Sequence, residues 1–199
     1  MITIEDVEQY LPQTQCGLCG YGGCRPYAEA LVKQNAPINL CLPGDTPVMH
    51  KLANILKAEP LPLIQPPVSR HRVAIDESAC IGCLKCLIVC PVDAIVGAAK
   101  KMHTVIADHC TGCDLCLPVC PMNCIDIIPL PAPETEALFY AEAALAKARY
   151  QQHQARLAQT QALESGLADP NTDKTAVLSK KQFIAEALAR VKAKKQGSS

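Results

Sequence analysis

The sequence contains no tryptophan, two phenylalanines and five tyrosines among 199 residues. Because these large side chains usually fill the interior of a domain, their scarcity argues against one large aromatic-rich core. Much of the hydrophobic 49% is instead alanine and the 13 cysteines, which are small. We therefore expect something besides burial to hold part of the chain together.

The sequence also lacks a readable signal peptide and a long apolar run. Its first ten residues, MITIEDVEQY, have no basic start and contain acidic residues, unlike a secretory leader. The longest apolar stretch, 87–99, is interrupted by Pro91 and Asp93 and is too short to span a bilayer. We therefore expect a cytoplasmic protein. In that reducing compartment, 13 cysteines indicate metal or redox chemistry rather than disulfides.

Four stretches of different composition divide the chain. Residues 1–59 hold four cysteines among glycines and prolines and predict a small helical module with a cysteine loop. Residues 60–70 contain four prolines and predict a semi-rigid linker. Residues 71–131 hold the other nine cysteines. Residues 132–199 contain no cysteine and predict a helical tail that ends in a basic segment.

Helix signals lie on both sides of the cysteine-rich middle. A helix is expected to begin at Cys24, and another to follow Thr46 as N-cap and Pro47 as first helical residue. In the tail, residues 134–164 predict a long helix that ends near Ser165. A second short helix is expected over 179–194.

The middle stretch is an internal duplication. The motif C-x2-C-x2-C-x3-C-P occurs twice, and each of its members recurs 30 residues later. The first copy contains Cys80, Gly82, Cys83, Cys86, Cys90 and Pro91, and the second contains Cys110, Gly112, Cys113, Cys116, Cys120 and Pro121. Strand-forming runs at 72–75, 94–96, 104–106 and 125–128 flank the two copies. Each half predicts strand, cysteine loop, short helix after Cys-Pro, and strand, which is an α+β, ferredoxin-like arrangement with pseudo-two-fold symmetry.

The spacing of the repeat predicts two [4Fe–4S] clusters. In such motifs three closely spaced thiolates bind one cluster and the fourth cysteine binds the other. The expected sets are Cys80, Cys83, Cys86 and Cys120 for one cluster, and Cys110, Cys113, Cys116 and Cys90 for the other. Structural zinc is the alternative, but zinc ribbons use separated C-x2-C pairs rather than complete quartets.

The N-terminal cysteines form a less specific pattern. Cys16, Cys19, Cys24 and Cys41 could bind zinc or a third [4Fe–4S] cluster, and spacing alone leaves both open. Cys124 is then left over, either as a small buried residue against a cluster or as a spare ligand. His109 is interpreted as a surface residue near a cluster, with a pH-sensitive potential as the alternative.

Bound clusters would change the charge of a chain whose formal net charge is zero. An oxidised [4Fe–4S] core with four thiolates carries about −2, so three would give about −6. A basic surface on a redox partner, or the chain's own basic tail, would complement that charge. Lys85 should raise the potential of its cluster, and Asp114 in the corresponding cysteine loop of the second copy should lower that of the other.

Residues 5–130 resemble the iron–sulfur component, or B subunit, of the Rnf-type (also called Rsx-type) ion-translocating electron transport complex. The resemblance rests on LPQTQCGLCGYGGCRPYAEAL and INLCLPGD, then on ACIGCLKC, CPVDAIVGAAKKMHTV and CTGCDLCLPVCPMNCI in the same order. It implies a third [4Fe–4S] cluster on Cys16, Cys19, Cys24 and Cys41. Family members generally begin with a membrane-spanning helix, whereas this sequence begins almost directly at the cluster module.

The resemblance also implies a function and a location. The expected protein is the iron–sulfur subunit of a bacterial complex that couples electron exchange between NADH and ferredoxin to ion movement, or that reduces a regulatory protein. Its partners would be the other subunits of that complex. It would lie in the cytoplasm, peripheral to the inner membrane at its cytoplasmic face.

No separate substrate site is recognisable. The glycines of GYGG lie among cysteines rather than after a strand, so no nucleotide site is expected, and no catalytic triad or carboxylate pair stands out. The chain thus resembles an electron carrier rather than an enzyme with its own substrate. The alternatives are a free-standing soluble polyferredoxin and a structural iron–sulfur protein.

The tail leaves three interpretations open. Its long helix could be solvated or pair in a coiled coil. The basic end, with Phe183, Ile184, Leu188 and Val191 on one side, could rest on an anionic membrane surface or, less expected, bind nucleic acid.

Overall fold

The computed structural model of the chain describes residues 2–167. The helices in this range are α1 (Ile4–Glu8), α2 (Cys24–Gln34), α3 (Asp45–Leu56), α4 (Lys85–Val89) and α5 (Glu136–Leu167). The strands are β1 (His71–Ile75), β2 (Ile95–Val96), β3 (Thr104–Val105) and β4 (Ile125–Pro129). The helix expected over 179–194 and the basic end lie outside the described residues.

The first three helices form an N-terminal module around its own apolar core. Val7, Leu11, Tyr27 and Leu52 are almost completely buried there. Helix α1 begins at a capping box in which the Thr3 side chain and a first-turn carboxylate satisfy each other's backbone N–H groups. Helix α2 begins at a cysteine, as the sequence predicts. Tyr27, one of the few aromatic residues, therefore lies in this small core.

The predicted start of α3 is wrong by a short step. The helix begins at Asp45, after Gly44 as N-cap, rather than after Thr46. The Asp45 carboxylate accepts hydrogen bonds from the backbone N–H and the hydroxyl of Thr46. Thr46 therefore lies inside the first turn, where Asp45 satisfies its backbone N–H, and the helix begins without a side-chain cap.

The middle stretch folds into two antiparallel pairs of strands. Strand β1 pairs with β4, with His71 opposite Pro129 and Ile75 opposite Ile125. Strand β2 pairs with β3. The first strand of the first copy therefore pairs with the last strand of the second, and all four predicted strands are confirmed. A second, separate core contains Val73, Val92 and several cysteines.

The short helix predicted after each Cys-Pro is wrong in position. In the first copy α4 precedes Cys90 and Pro91, and the chain turns after the proline. In the second copy the corresponding segment, 115–119, is a turn. Asp93 and Asn123 adopt positive φ angles of 50° and 48° just beyond each proline, which a continuing helix would not allow.

Helix α5 confirms the long helix of the tail but runs past its predicted end. It continues through Ser165, whose hydroxyl donates to the carbonyl of Ala162 within the helix and so does not end it. Within residues 2–167 the helices lack the apolar run that crossing a bilayer requires.

The first half of α5 packs on both cysteine-bearing parts of the chain. This half of the helix is therefore not fully solvated. Residues up to His153 belong to one compact unit, and Ala143, Ala146 and His153 are buried. Toward the N-terminal module, α5 contributes the pairs Lys51–Glu136, Tyr10–Tyr140 and Glu8–Lys147. Toward the middle stretch it contributes Arg70–Glu142 and Asp93–His153.

The proline-rich segment 60–70 lies against the N-terminal module. The Asn39 side chain donates to the Pro62 carbonyl, and the Val68 N–H donates to the Leu42 carbonyl. No helix or strand forms in this segment. These bonds fix the direction in which the chain leaves one module for the next.

Candidate functional site: three cysteine-lined cavities

Each of the three predicted cysteine sets lines one cavity. Cys80, Cys83, Cys86 and Cys120 line a cavity of about 290 Å³. Cys90, Cys110, Cys113 and Cys116 line one of about 320 Å³. Cys16, Cys19, Cys24 and Cys41 line one of about 290 Å³. The exchange of the fourth cysteine between the two copies of the repeat is therefore present in the geometry.

The cysteines around each described cavity are not gathered closely enough to bind a single metal ion. Tetrahedral zinc with bonds of about 2.3 Å to sulfur would bring the four sulfurs within roughly 3.8 Å of one another. In the described part of the chain, no three His, Cys, Asp or Glu side chains come together closely enough to bind one metal ion. A larger inorganic core with four corners suits sulfurs that surround a cavity in this way.

Burial sets the protonation of the cysteines and gives the cavities a need for positive charge. It raises the pKa of Cys24 and of Cys116 to about 12 and that of Cys113 to about 11. A buried thiolate without compensation is therefore disfavoured. The iron ions of a cluster would supply the missing positive charge.

The glycine in each cysteine loop is required by its backbone. Gly82 and Gly112 have φ angles of +66° and +65°, a region that suits glycine. A Cβ at Gly82 would overlap with the backbone of Lys101, and one at Gly112 with the carbonyl of His71. The cysteine loop is thus held against a neighbouring segment in both copies.

His103 belongs to the first cavity, although sequence reasoning did not select it. Its side chain is 1% exposed and lines the cavity. Its Nδ1 lies 3.4 Å from the sulfur of Cys86, and its backbone N–H donates to the sulfur of Cys80 at 3.3 Å. Nε2 has no hydrogen-bond partner within the described residues. With the proton on Nδ1, His103 donates to the Cys86 sulfur.

Gly97 explains how the His103 ring comes so close to the sulfurs. A Cβ at this position would overlap with the ring, and φ is +157°. Only a glycine leaves the ring enough room. A glycine six residues before a histidine does not by itself indicate that the two residues are in contact, so the sequence could not reveal this arrangement.

Cys124 also lines the first cavity. Its sulfur lies 3.5 Å from that of Cys120. Burial disfavours the Cys120 thiolate, but backbone N–H groups of residues 122–124 outweigh it and lower its pKa. Burial and the neighbouring sulfur raise the pKa of Cys124 to about 12. Cys120 is therefore the more acidic thiol of the pair.

Nearby polar groups form hydrogen bonds with residues that line the second cavity. The backbone N–H of Ala94 donates to the sulfur of Cys90 at 3.2 Å. Asp114 lines the cavity and accepts from His71 Nε2 at 2.7 Å. Burial opposes the charged imidazole, but the Ser69 carbonyl and the Asp114 carboxylate outweigh it and raise the pKa of His71. A protonated His71 would compensate part of the Asp114 charge.

A hydrogen bond joins the second cavity to the N-terminal one. The hydroxyl of Thr111, between Cys110 and Gly112, donates to the backbone carbonyl of Thr14 at 3.1 Å. Thr14 lines the N-terminal cavity, and its own hydroxyl lies 3.5 Å from the sulfur of Cys16. The loops of these two cavities are therefore direct neighbours.

Two buried glutamines position the N-terminal cysteine loop. Gln13 donates to the Glu8 carbonyl at 2.9 Å, and Gln15 donates to the Gln13 side chain at 3.0 Å. The Gln15 side-chain oxygen then accepts from the backbone N–H of Cys24 at 2.9 Å. This chain of bonds connects α1 with the start of α2 across the cysteines, and sequence reasoning missed it.

Tyr27 positions the remaining N-terminal cysteine. Its hydroxyl donates to the Pro37 carbonyl at 2.7 Å and accepts from the Leu40 N–H at 3.4 Å. The ring lines the cavity beside Cys41. Tyr27 thus holds the loop that brings Cys41 to the other three cysteines.

His109 is half-buried at the end of a 3₁₀ turn, Ala107–His109. It does not line any of the three cavities. Its predicted place near a cluster stays a prediction. Lys85 is exposed at the start of α4, where no described carboxylate pairs with its charge.

Comparison with known proteins matches two family models and several curated relatives. Residues 73–127 match a 4Fe-4S dicluster domain, and residues 11–43 match a putative Fe-S cluster model. Proteins described as the B subunit of an ion-translocating oxidoreductase complex are similar in Cronobacter sakazakii, at 56% identity over 131 residues, and in Pectobacterium atrosepticum, at 57% over 136. A relative of the same description in Yersinia pestis is 58% identical over 131 residues. These matches cover 63–65% of this chain and 68–70% of the relatives.

Proposed function

The chain belongs to the family formed by the B subunits of ion-translocating oxidoreductase complexes, and from that membership we propose that it carries electrons through three [4Fe–4S] clusters. Its 4Fe-4S dicluster domain supports electron transfer as its function. A bound [4Fe–4S] cluster takes up and releases one electron at a time without any bond of the protein changing. The observation that carries the number three is that three sets of four cysteines each line one cavity.

The proposed ligands are the twelve cysteines of these cavities. One cluster would be held in the N-terminal cavity by Cys16, Cys19, Cys24 and Cys41. Another would be held in the first cavity of the repeat by Cys80, Cys83, Cys86 and Cys120. The third would be held in the second cavity of the repeat by Cys110, Cys113, Cys116 and Cys90. The pairing of β1 with β4 and of β2 with β3 supports a pseudo-two-fold, ferredoxin-like module around the last two.

The chain's own residues position these sulfurs and keep water from them. Burial of Cys86, Cys90 and Cys116 limits solvent access. N–H groups of Ala94 and His103 donate to thiolate sulfurs, which favours the more negative, reduced state. Hydrogen bonds to sulfur and exclusion of water are two of the means by which a protein sets a cluster's potential.

We propose that an electron passes the three cavities in an order that differs from their order in the sequence. The Thr111–Thr14 bond makes the N-terminal cavity and the cavity of Cys110 direct neighbours. The two cavities of the repeat share cysteines from both copies of the motif. The cavity of Cys110 would thus lie between the other two, and the cavity of Cys80 at one end.

The relatives are named as one subunit of an ion-translocating oxidoreductase complex. We extend this to the present chain as a proposal: its partners are the other subunits of such a complex, and ion movement is coupled to the electrons that it carries. Its location would then be peripheral, at the cytoplasmic face of the inner membrane.

The decisive experiment is anaerobic purification followed by iron and sulfide analysis and stepwise reduction monitored by EPR. About twelve iron atoms per chain and interacting signals are expected. Removal of Cys24 and Cys41 by alanine substitution should lower the iron content to about eight while the other signals persist. Zinc in place of iron, or an unchanged iron content in that variant, would refute the assignment.

A further inference from the structure

The N-terminal cavity and the cavity of Cys110 meet at a junction to which three segments of the chain contribute side chains. Thr14 lines the first of these cavities, and Thr111 lines the second. The Thr111 hydroxyl donates to the Thr14 carbonyl at 3.1 Å. This hydrogen bond therefore holds the two cysteine loops against each other.

Thr111 also faces one of the proposed ligands. Burial raises the pKa of Cys113 to about 11, and a hydrogen bond from the Thr111 side chain acts against that rise. A hydroxyl group has one proton, so Thr111 can donate either to this sulfur or to the Thr14 carbonyl, but not to both at once. The hydroxyl group thus lies between a carbonyl of the N-terminal module and a sulfur of the repeat.

Tyr150 of α5 contacts both sides of the junction. Its ring packs against the second core, which contains Cys90 and Cys116. Its hydroxyl oxygen lies 3.8 Å from the place that a Cβ of Gly23 would take, and Gly23 lines the N-terminal cavity. The same Cβ would overlap with the side-chain oxygen of Gln15. With glycine at this position, both side chains come close to the N-terminal cysteine loop.

Polar contacts before and after Tyr150 fix its position. Lys147 and His153 are three residues away on either side, so all three side chains lie on one face of α5. Lys147 binds the buried Glu8 of the N-terminal module at 2.8 Å. His153 Nδ1 lies 2.8 Å from the Asp93 carboxylate of the repeat. The helix is therefore attached to both modules within one turn of Tyr150.

We propose that Thr111 and Tyr150 are positioning residues for electron transfer between the N-terminal cluster and the cluster of the Cys110 set. The inference rests on the proposed function, because it needs a cluster in each of the two cavities. Thr111 would fix the separation of the two cysteine loops, and the Tyr150 ring would fill the junction and exclude water from it. Because electron tunnelling weakens steeply with distance, even a small separation of the loops would slow the transfer.

The step moves one electron and no atoms. The electron leaves one cluster, whose core charge rises from 1+ to 2+, and enters the other, whose core charge falls from 2+ to 1+. No proton moves, and no bond forms or breaks. Thr111 and Tyr150 remain chemically unchanged and act through the gap between the two cores.

The first measurement is EPR of the anaerobic, cluster-loaded full chain. In the fully reduced protein, neighbouring clusters broaden or split each other's signals, and this magnetic interaction weakens with the cube of their separation. The signal of the N-terminal cluster is the one that disappears when Cys24 and Cys41 are replaced by alanine. Thr111→Val removes the hydroxyl, and Tyr150→Leu removes the ring but keeps an apolar side chain.

The second measurement follows the electron itself by cryoreduction. Irradiation of the oxidised protein in frozen solution places single electrons on the clusters, and stepwise warming lets them pass to the cluster of highest potential. EPR after each step gives the rate of this redistribution.

We expect Thr111→Val and Tyr150→Leu to weaken the magnetic interaction of the N-terminal cluster and to slow the redistribution to or from it severalfold. Thr111→Ser keeps the hydroxyl, and Tyr150→Phe keeps the ring. Both of these conservative variants should behave as the wild type.

Two control variants separate this role from the stability of the fold. Tyr140→Leu removes another ring of α5, which packs on Tyr10 with 5.9 Å between the ring centroids and lines none of the three cavities. Thr160→Val removes an exposed hydroxyl that bonds within α5. Both should keep the magnetic interaction and the redistribution rate of the wild type, even where Tyr140→Leu lowers the melting temperature.

The proposal is overturned if Thr111→Val and Tyr150→Leu both retain the magnetic interaction of the wild type, or if Tyr140→Leu weakens it equally. An effect in one of the two variants alone would overturn the role of the other residue. A wild type with three clusters whose N-terminal signal shows no interaction would also refute the junction. Failure of the proposed function has a different appearance, since the wild type would then lack the third cluster or its iron would take up no electron.

Discussion

The sulfur of Cys124 lies 3.5 Å from the sulfur of Cys120, in a cavity whose other three cysteines need one of the two to complete a set of four. Backbone N–H groups of residues 122–124 lower the pKa of Cys120 against the effect of burial, whereas burial raises the pKa of Cys124 to about 12. On this ground we propose Cys120 as the ligand and Cys124 as its neighbour, a choice that sequence spacing left open for Cys124.

A substitution series separates these roles. Cys124→Ala should leave the iron content at about twelve per chain, because no ligand is lost. In Cys120→Ala, Cys124 is near enough to replace the missing sulfur, so most iron should remain with an altered EPR signal. The double variant should lose one cluster and retain about eight iron atoms. Loss of iron in Cys124→Ala alone would contradict this assignment.

His103 should raise the potential of the cluster on the Cys80 set. With its proton on Nδ1, His103 donates to the Cys86 sulfur and stabilises the extra negative charge of the reduced state. Removing this bond in His103→Leu should lower that potential by about 20–60 mV, which corresponds to about 0.5–1.4 kcal/mol for a one-electron couple. Redox titration with EPR detection measures the shift.

His109→Leu is the matched control, because His109 does not line the cavity. It should leave all potentials within about 10 mV of wild type, a difference well below the loss of one hydrogen bond. A second variant, Gly97→Ala, should disturb the same cluster as His103→Leu, since its methyl group would displace the His103 ring. Equal shifts from both histidines would refute the tuning role.

Lys85 and Asp114 lie in the matching cysteine loops of the two copies but should differ in effect. Lys85→Glu should lower the potential of the cluster on the Cys80 set by about 10–40 mV at low salt, and by less at high salt because solvent ions reach the lysine. Asp114→Asn should raise the potential of the other cluster only slightly, since the carboxylate already lies 2.7 Å from His71 Nε2 and a protonated His71 would compensate its charge. Shifts of the same size and sign in both variants would show that the contrast is absent.

The buried Glu8 carboxylate should stabilise the packing of α5. It is 4% exposed and binds both Arg25, at 3.0 Å, and Lys147, at 2.8 Å. Glu8→Gln should lower the free energy of unfolding by about 1.5–3 kcal/mol and the melting temperature by roughly 3–12 °C. Anaerobic thermal unfolding of the cluster-loaded protein, followed by circular dichroism, measures the change.

Glu29→Gln serves as the control for this variant. Glu29 is half exposed and lies 3.7 Å from the same arginine, so its loss should change the melting temperature by less than about 2 °C. If both variants melt alike, the contact with Lys147 contributes nothing.

The repeat made the middle of the chain predictable. An offset of 30 residues fixes which cysteines are equivalent, and the strand-forming runs around them have few alternatives in so short a unit. The position of the short helix did not follow, although its signal was there. Cys86 and Cys90 are four residues apart, a helical spacing, and the turn at Asp93 prevents a helix beyond Pro91.

The polar residues that position the cysteines could not be predicted. Gln13 and Gln15 act through bonds between buried side chains, and His103 meets Cys86 across 17 residues of sequence. Such meetings depend on how loops fold back, which neither composition nor periodicity encodes. The contacts of α5 were hidden for a similar reason, since its buried stripe is mostly alanine and looks no different from a solvated one.

Helix α5 has a consequence for how charge crosses this protein. It is bonded to Glu8 and Lys51 at one module and to Arg70 and Asp93 at the other. Because the same helix holds both modules, we expect the distance that an electron must tunnel across to stay nearly constant. Electrons would then pass between clusters at fixed distances, without a domain movement at each step. The overall rate would be limited by electron transfer into and out of the chain at its two ends.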